Sequence, residues 1–174
     1  VCSSDLVKFE EKPYDLFSSP VWFADGVGIL KRMAGIGAAL LAELGVVGIA
    51  QCQAHTSDTV RGWACFMVGA QSELDLSARL AAIRPLADDT HFGVREWAWM
   101  AVRPHLAQEL NAAIDHLAAW TASPSERLRR FASEALRPRG VWCAHLNILK
   151  ENPALVIRSI RDELVELVDR KSVV

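Results

Sequence analysis

The sequence lacks most of the patterns that announce a chemistry. It has no HExxH pair, no glycine-rich phosphate loop, no GxSxG elbow and no kinase signature set, which removes the enzyme classes built on them. The four cysteines (Cys2, Cys52, Cys65 and Cys143) form no CxxC pair and no disulfide framework. A reduced, cytoplasmic compartment is therefore expected. Cys143 and His145 are too few for a metal site and read as a buried thiol and a partly exposed imidazole. The other histidines, His55, His91, His105 and His116, are scattered and read as structural or surface residues. No metal and no cofactor is expected. Neither sign of charge dominates: 19 Lys and Arg stand against 21 Asp and Glu. A surface for nucleic acid would have to be local.

Strand-type alternation is missing too, whereas hydrophobic residues make up 51% of the 174 residues, with alanine and leucine abundant. This predicts an all-α domain with a sizeable core. Residues 8–168 read as one domain, because no low-complexity linker divides them. Residues 1–7 and 170–174 match nothing else in the chain and read as non-native or disordered ends.

The chain is organised around residues 91–104, HFGVREWAWMAVRP, and an echo at residues 125–138, SERLRRFASEALRP. At an offset of 34, Val94 falls on Leu128, Arg95 on Arg129, Trp97 on Phe131, Ala98 on Ala132, Ala101 on Ala135, and Arg103-Pro104 on Arg137-Pro138. The same step backwards reaches Val60, Arg61, Trp63 and Ala64. Three ungapped copies, with helices near 58–69, 91–104 and 125–138, predict a stacked repeat array in which paired helices cover each other's apolar stripes. A fourth copy, due near residue 162, is not found, and the array reads as cut short there.

Punctuation residues set the expected boundaries. Pro20 can open a first helix, after a polar lead over residues 8–19. An 18-residue apolar run, 33–50, holds only Glu43 as a charge. Its length permits a membrane span, but a mid-bilayer carboxylate costs roughly 2.5 kcal/mol or more. With four glycines also interrupting it, a buried helix of a soluble stack is the expectation. Residues 55–58 and 88–90 supply N-caps. Partner helices are expected over 72–83, ending before Pro85, and over 105–120. Pro104 is expected to stop the second repeat helix. Ser123, Pro124 and Glu126 read as cap, first residue and capping box of the third. Two more helices are expected over 141–150 and 153–168.

On the second and third repeat helices one stripe (Val94, Trp97, Ala98, Ala101; Leu128, Phe131, Ala132, Ala135) reads as core. Another face carries Glu96, Trp99, Met100 and Arg103, matched by Arg130, Ser133, Glu134 and Arg137. In stacked arrays such faces align into an extended surface, and this one is the candidate site. Residues 127–139 carry Arg127, Arg129, Arg130, Arg137 and Arg139 against the single acid Glu134. Arginine forks match phosphate geometry. Two structural uses compete with that one. The recurrent Arg61, Arg95 and Arg129 can hold neighbouring carboxylates or helix ends, and Arg130 can pair with Glu96 of the adjacent copy. Glu134 can pair with Arg130 or Arg137 on its own helix.

The stretches VREWAWMAVRPH and RRFASEALRPRGVW resemble the DNA alkylation repair family, the HEAT-like-repeat DNA glycosylases that remove N-alkylated purines. The resemblance is best over residues 59–153. It implies a monomeric HEAT-like α-α superhelix cradling double-stranded, alkylated DNA. It also implies cofactor-free hydrolysis of the N-glycosidic bond of 3-methyladenine or 7-methylguanine. On this resemblance Glu134 occupies the family's acidic position, followed by Arg137, Pro138, Arg139 and Trp142. One repeat earlier the catalytic glutamate of one branch is replaced by Trp99, with Glu96 one turn before it. The implied roles are charge stabilisation for Glu134 and Glu96, and lesion contact for Trp99 and Trp142. Arg103, Arg130, Arg137 and Arg139 would bind phosphates. A non-catalytic scaffold that binds DNA or a protein is the alternative.

Overall fold

The computed structural model describes residues 28–139, 144–155 and 157, and these are all-helical. Seven helices occur among them: α1 (Ile29–Gln53), α2 (Asp58–Ala70), α3 (Leu76–Ala87), α4 (Phe92–Gln108), α5 (Leu110–Thr121), α6 (Glu126–Ala135) and α7 (Asn147–Glu151). The helix expected from Pro20 and most of that expected over 153–168 lie outside the described residues, as do Trp142 and Cys143.

The three helices that share the 34-residue pattern stack in order, α2 on α4 and α4 on α6, with α1 covering α2. Helices α3 and α5 flank this row, α3 against α2, α4 and α6, and α5 against α4 and α6. The predicted stripe is the seam. Val94, Ala98, Leu128, Phe131, Ala132 and Ala135 are at most 3% exposed. Trp63 and Trp97 are only partly buried, packed against that core. Close approach depends on missing side chains at two points. A Cβ on Gly37 of α1 would lie 2.5 Å from the Phe66 Cβ of α2, and one on Gly69 would lie 2.8 Å from the Ala101 carbonyl of α4.

Several boundaries differ from the expectation, for physical reasons. Pro85 and Pro104 do not end their helices; α3 runs on to Ala87 and α4 to Gln108. A proline inside a helix costs about 3 kcal/mol. Beyond these two, however, Leu86, Ala87 and Leu106 are fully buried, and their packing holds the extra turn. The cap of α6 is Ser125, whose hydroxyl accepts from the Leu128 amide; the Ser123 hydroxyl instead accepts from the Ser125 amide, just before the helix. Helix α3 opens at Asp75, which accepts from the Ala78 amide at 2.7 Å, and α5 starts only at Leu110.

The apolar run is longer than expected and less buried. Helix α1 spans 25 residues and is long and apolar enough to cross a membrane by length and composition. It is broken by Gly45, whose φ of +63° a residue with a side chain rarely adopts. Beyond this kink Val46 and Val47 are 66% and 72% exposed, so α1 buries one face on α2 rather than its whole circumference.

Candidate functional site

The arginine that recurs at each 34-residue step has one job in all three copies. Each guanidinium Nη1 donates to the carbonyls six and five residues before it. Arg61 bonds His55 and Thr56, Arg95 bonds Asp89 and Thr90, and Arg129 bonds Ser123 and Pro124. This ties the turn before each helix to the helix itself. Arg61 adds a two-pronged bond to Asp89, at 2.7 and 3.2 Å, which links α2 to the turn before α4. Next to it, Asp88 accepts from the Ser125 hydroxyl and its carbonyl accepts from Arg127, which links that same turn to α6. Burial pushes the Asp89 carboxyl up, but the Arg61 bond, the His91 amide and the nearby positive charge outweigh it and hold it below the usual aspartate range.

Arg103, expected on phosphate, is instead 3% exposed. Its guanidinium donates to the carbonyls of Glu134, Ala135, Arg137 and Ala144 at 2.6–3.5 Å. It thus satisfies the orphan carbonyls at the C-terminus of α6, which a buried helix end requires. Its burial removes it from any phosphate-binding set. Arg79, which stands outside the repeat pattern, does the same for α2. It is 2% exposed and bonds the carbonyls of Val68, Gly69, Gln71 and Leu74. Only its place opposite a helix end betrays this role, and no local pattern does.

What remains is a shallow surface cleft between α4 and α6, open to solvent. Arg95, Glu96, Trp99, Arg127, Arg130, Phe131 and Glu134 line it. The structure therefore brings together Glu96, Trp99, Arg130 and Glu134, four of the residues singled out from sequence. Glu96 is fully engaged: Oε2 accepts from the Trp99 indole N–H at 3.1 Å and Oε1 from Arg130 at 3.3 Å. Glu134 is 9% exposed. Its Oε1 accepts a short bond from Arg137 and lies 3.7 Å from Arg130. Among the described residues its Oε2 makes no hydrogen bond.

Trp99 departs from its expected role. It is 4% exposed, and the Arg103 guanidinium sits over its ring, 5.9 Å from the centroid. No ring face is free to lie on a base; the residue offers the cleft only its rim. Met100, placed on the same face by the helical wheel, is buried. Arg137 and Arg139 are exposed beyond the end of α6. The thiols of Cys52 and Cys65 are buried, which pushes both up, Cys65 well above the usual cysteine range, and disfavours the reactive thiolate. Among the described residues no three of His, Cys, Asp and Glu converge as a metal site would need.

Comparison with known proteins adds a partial likeness. No family model matches the chain, and no solved structure matches it. The chain is 36% identical over 95 residues to "Uncharacterized protein YhaZ" of Bacillus subtilis (strain 168). That match spans 53% of this chain but only 26% of the relative.

Proposed function

We propose that the chain is part of a HEAT-like α-α superhelix that binds double-stranded DNA and hydrolyses the N-glycosidic bond of cationic N-alkylpurines, acting in the cytoplasm without a cofactor. The observation that carries this reading is Glu134. It is nine-tenths buried in the cleft wall, with one oxygen fixed by Arg137 and the other without a hydrogen bond among the described residues. A carboxylate held in that way is preorganised to face positive charge, because it needs no reorganisation when the charge develops.

The chemistry asks for little else. An N3- or N7-alkylated purine is already cationic, so the C1′–N9 bond breaks with its electron pair going to the base, which leaves neutral. The sugar passes through oxocarbenium character that Glu134 stabilises. A water oxygen then bonds to C1′ and releases one proton to the carboxylate or to solvent. Arg130 lines the cleft, Arg137 reaches Glu134 in its wall and Arg139 is exposed beyond the end of α6; these three are the phosphate-binding set of this reading, now without Arg103. Glu96, with both oxygens engaged, positions Trp99 and Arg130.

A second reading, a non-catalytic repeat scaffold for DNA or a protein partner, is favoured by one observation: Arg130 lies against both carboxylates. Release of free bases from methylated duplex DNA, followed by chromatography, separates the two. The glycosylase reading expects 3-methyladenine or 7-methylguanine to appear, with release falling about a hundredfold or more in Glu134→Gln while DNA binding persists. DNA binding without any release selects the scaffold.

A further inference from the structure

Arg130 differs from the other arginines that line the cleft. Arg95 and Arg127 are tied to backbone carbonyls, at Asp89, Thr90 and Asp88. Among the described residues Arg130 has no such bond and meets only Glu96 and Glu134. Both distances are long, 3.3 and 3.7 Å, and the side chain is 62% exposed. A charge-assisted N–H···O bond normally closes to about 2.7–2.9 Å, as Arg61 does on Asp89 at 2.7 Å. The guanidinium is therefore lightly held, in a place that two carboxylates from different helices make favourable for positive charge.

What stands between those carboxylates is a planar, delocalised cation beside Phe131 and the rim of Trp99. We propose that Arg130 occupies, in the free protein, the seat of a planar cationic ligand, and that such a ligand displaces it to bind Glu96 and Glu134. The inference rests on the cleft being the cation-recognising site proposed above, and adds that the ligand competes with an internal side chain. A displaced Arg130, on an exposed stem, is then available to a DNA phosphate. The seat would thus be vacated most readily when backbone and cationic base arrive together.

This predicts opposite effects of one substitution. Cationic 7-methylguanosine, titrated into the full chain and followed by NMR shifts of the tryptophan indoles, binds Arg130→Ala about fivefold tighter than the unaltered protein, the upper worth of an exposed ion pair. Methylated duplex DNA binds the same variant more weakly. Glu134→Gln loses the nucleoside, and neutral guanosine binds none of these proteins. Arg127→Ala removes a cleft charge without emptying the seat, so it gains less than half as much. Arg130→Gln repeats the test if alanine lowers stability. Nucleoside binding that is unchanged, weaker or absent in Arg130→Ala overturns the proposal, as does an equal gain in Arg127→Ala or equal binding of guanosine. Base release is read separately. A protein with the Arg130 effect but no release keeps the seat and loses the glycosylase, and release without the Arg130 effect does the reverse.

Discussion

The N-terminal edge of α2, α4 and α6 and the cleft between α4 and α6 are built from the same residue type, used in opposite ways. At the edge, Arg61, Arg95 and Arg129 engage their forks on carbonyls five and six residues away, a geometry set within each repeat. In the cleft, Arg130 reaches only carboxylates among the described residues, at longer range and with more of its surface in water. Arg129 and Arg130 are adjacent in sequence. Their difference shows that an arginine cluster has to be divided by what each fork already holds before any of it is assigned to a ligand.

The sharpest way to break this division is at its buried extreme. Arg103→Leu should lower stability by about 3 kcal/mol or more, because four buried or half-buried carbonyls lose their donor. Urea denaturation measures it, and a loss under about 0.5 kcal/mol, the size of an ordinary surface change, would return Arg103 to the ligand-binding group. The edge comes next. Arg61→Ala should cost about 1–2 kcal/mol, as a charged hydrogen-bonded partner does, with a pH signature through Asp89. The Asp89 carboxyl titrates lower in the folded protein than in the unfolded chain. Its contribution is therefore complete above the unfolded value of about 3.9 and is lost as pH falls through the lower folded value. The stability gap between the unaltered protein and Asp89→Asn should be flat from pH 7 to about 5 and shrink below about 4. A gap that instead grows on acidification would contradict the Arg61 pairing.

The exposed arginines should give the smallest change in stability. Arg137→Ala combined with Arg139→Ala should shift unfolding by no more than about 1 kcal/mol, the range of surface ion pairs. Duplex DNA affinity should fall, and its log–log dependence on salt should flatten by roughly 0.9 for each phosphate no longer neutralised. DNA affinity that stays the same would place these two with the scaffold arginines and leave Arg130 as the cleft's candidate for phosphate.

Much of the helical pattern was legible beforehand, because a 34-residue offset that keeps Arg, an aromatic and small residues in place reports directly on a stacked seam. The cleft was partly legible for the same reason: Glu96 and Arg130 stand one offset apart and meet across α4 and α6. Helix ends read from proline were misplaced at Pro85 and Pro104, since the burial that outweighs a proline is supplied by other helices. Trp99 looked available on a helical wheel, which carries no record of Arg103 lying over its ring.

Arg103 and Arg137 make the same point most directly, since they hold the same place in successive copies. Sequence alone placed each arginine before a proline in the repeat pattern. It misjudged the helix end at Arg103, where α4 runs on to Gln108, whereas Arg137 lies just past the end of α6. The capping by Arg61, Arg95 and Arg129 is local, since their carbonyl partners lie within six residues, but the pattern alone left these forks open between helix ends, neighbouring carboxylates and phosphate. Which arginine became scaffold was decided by tertiary structure. The end of α6 packs over Arg103 and fills its fork with carbonyls, whereas Arg137 stays half exposed with its fork on Glu134. Burial and partner supply are properties of the neighbouring helix, and no local pattern encodes them.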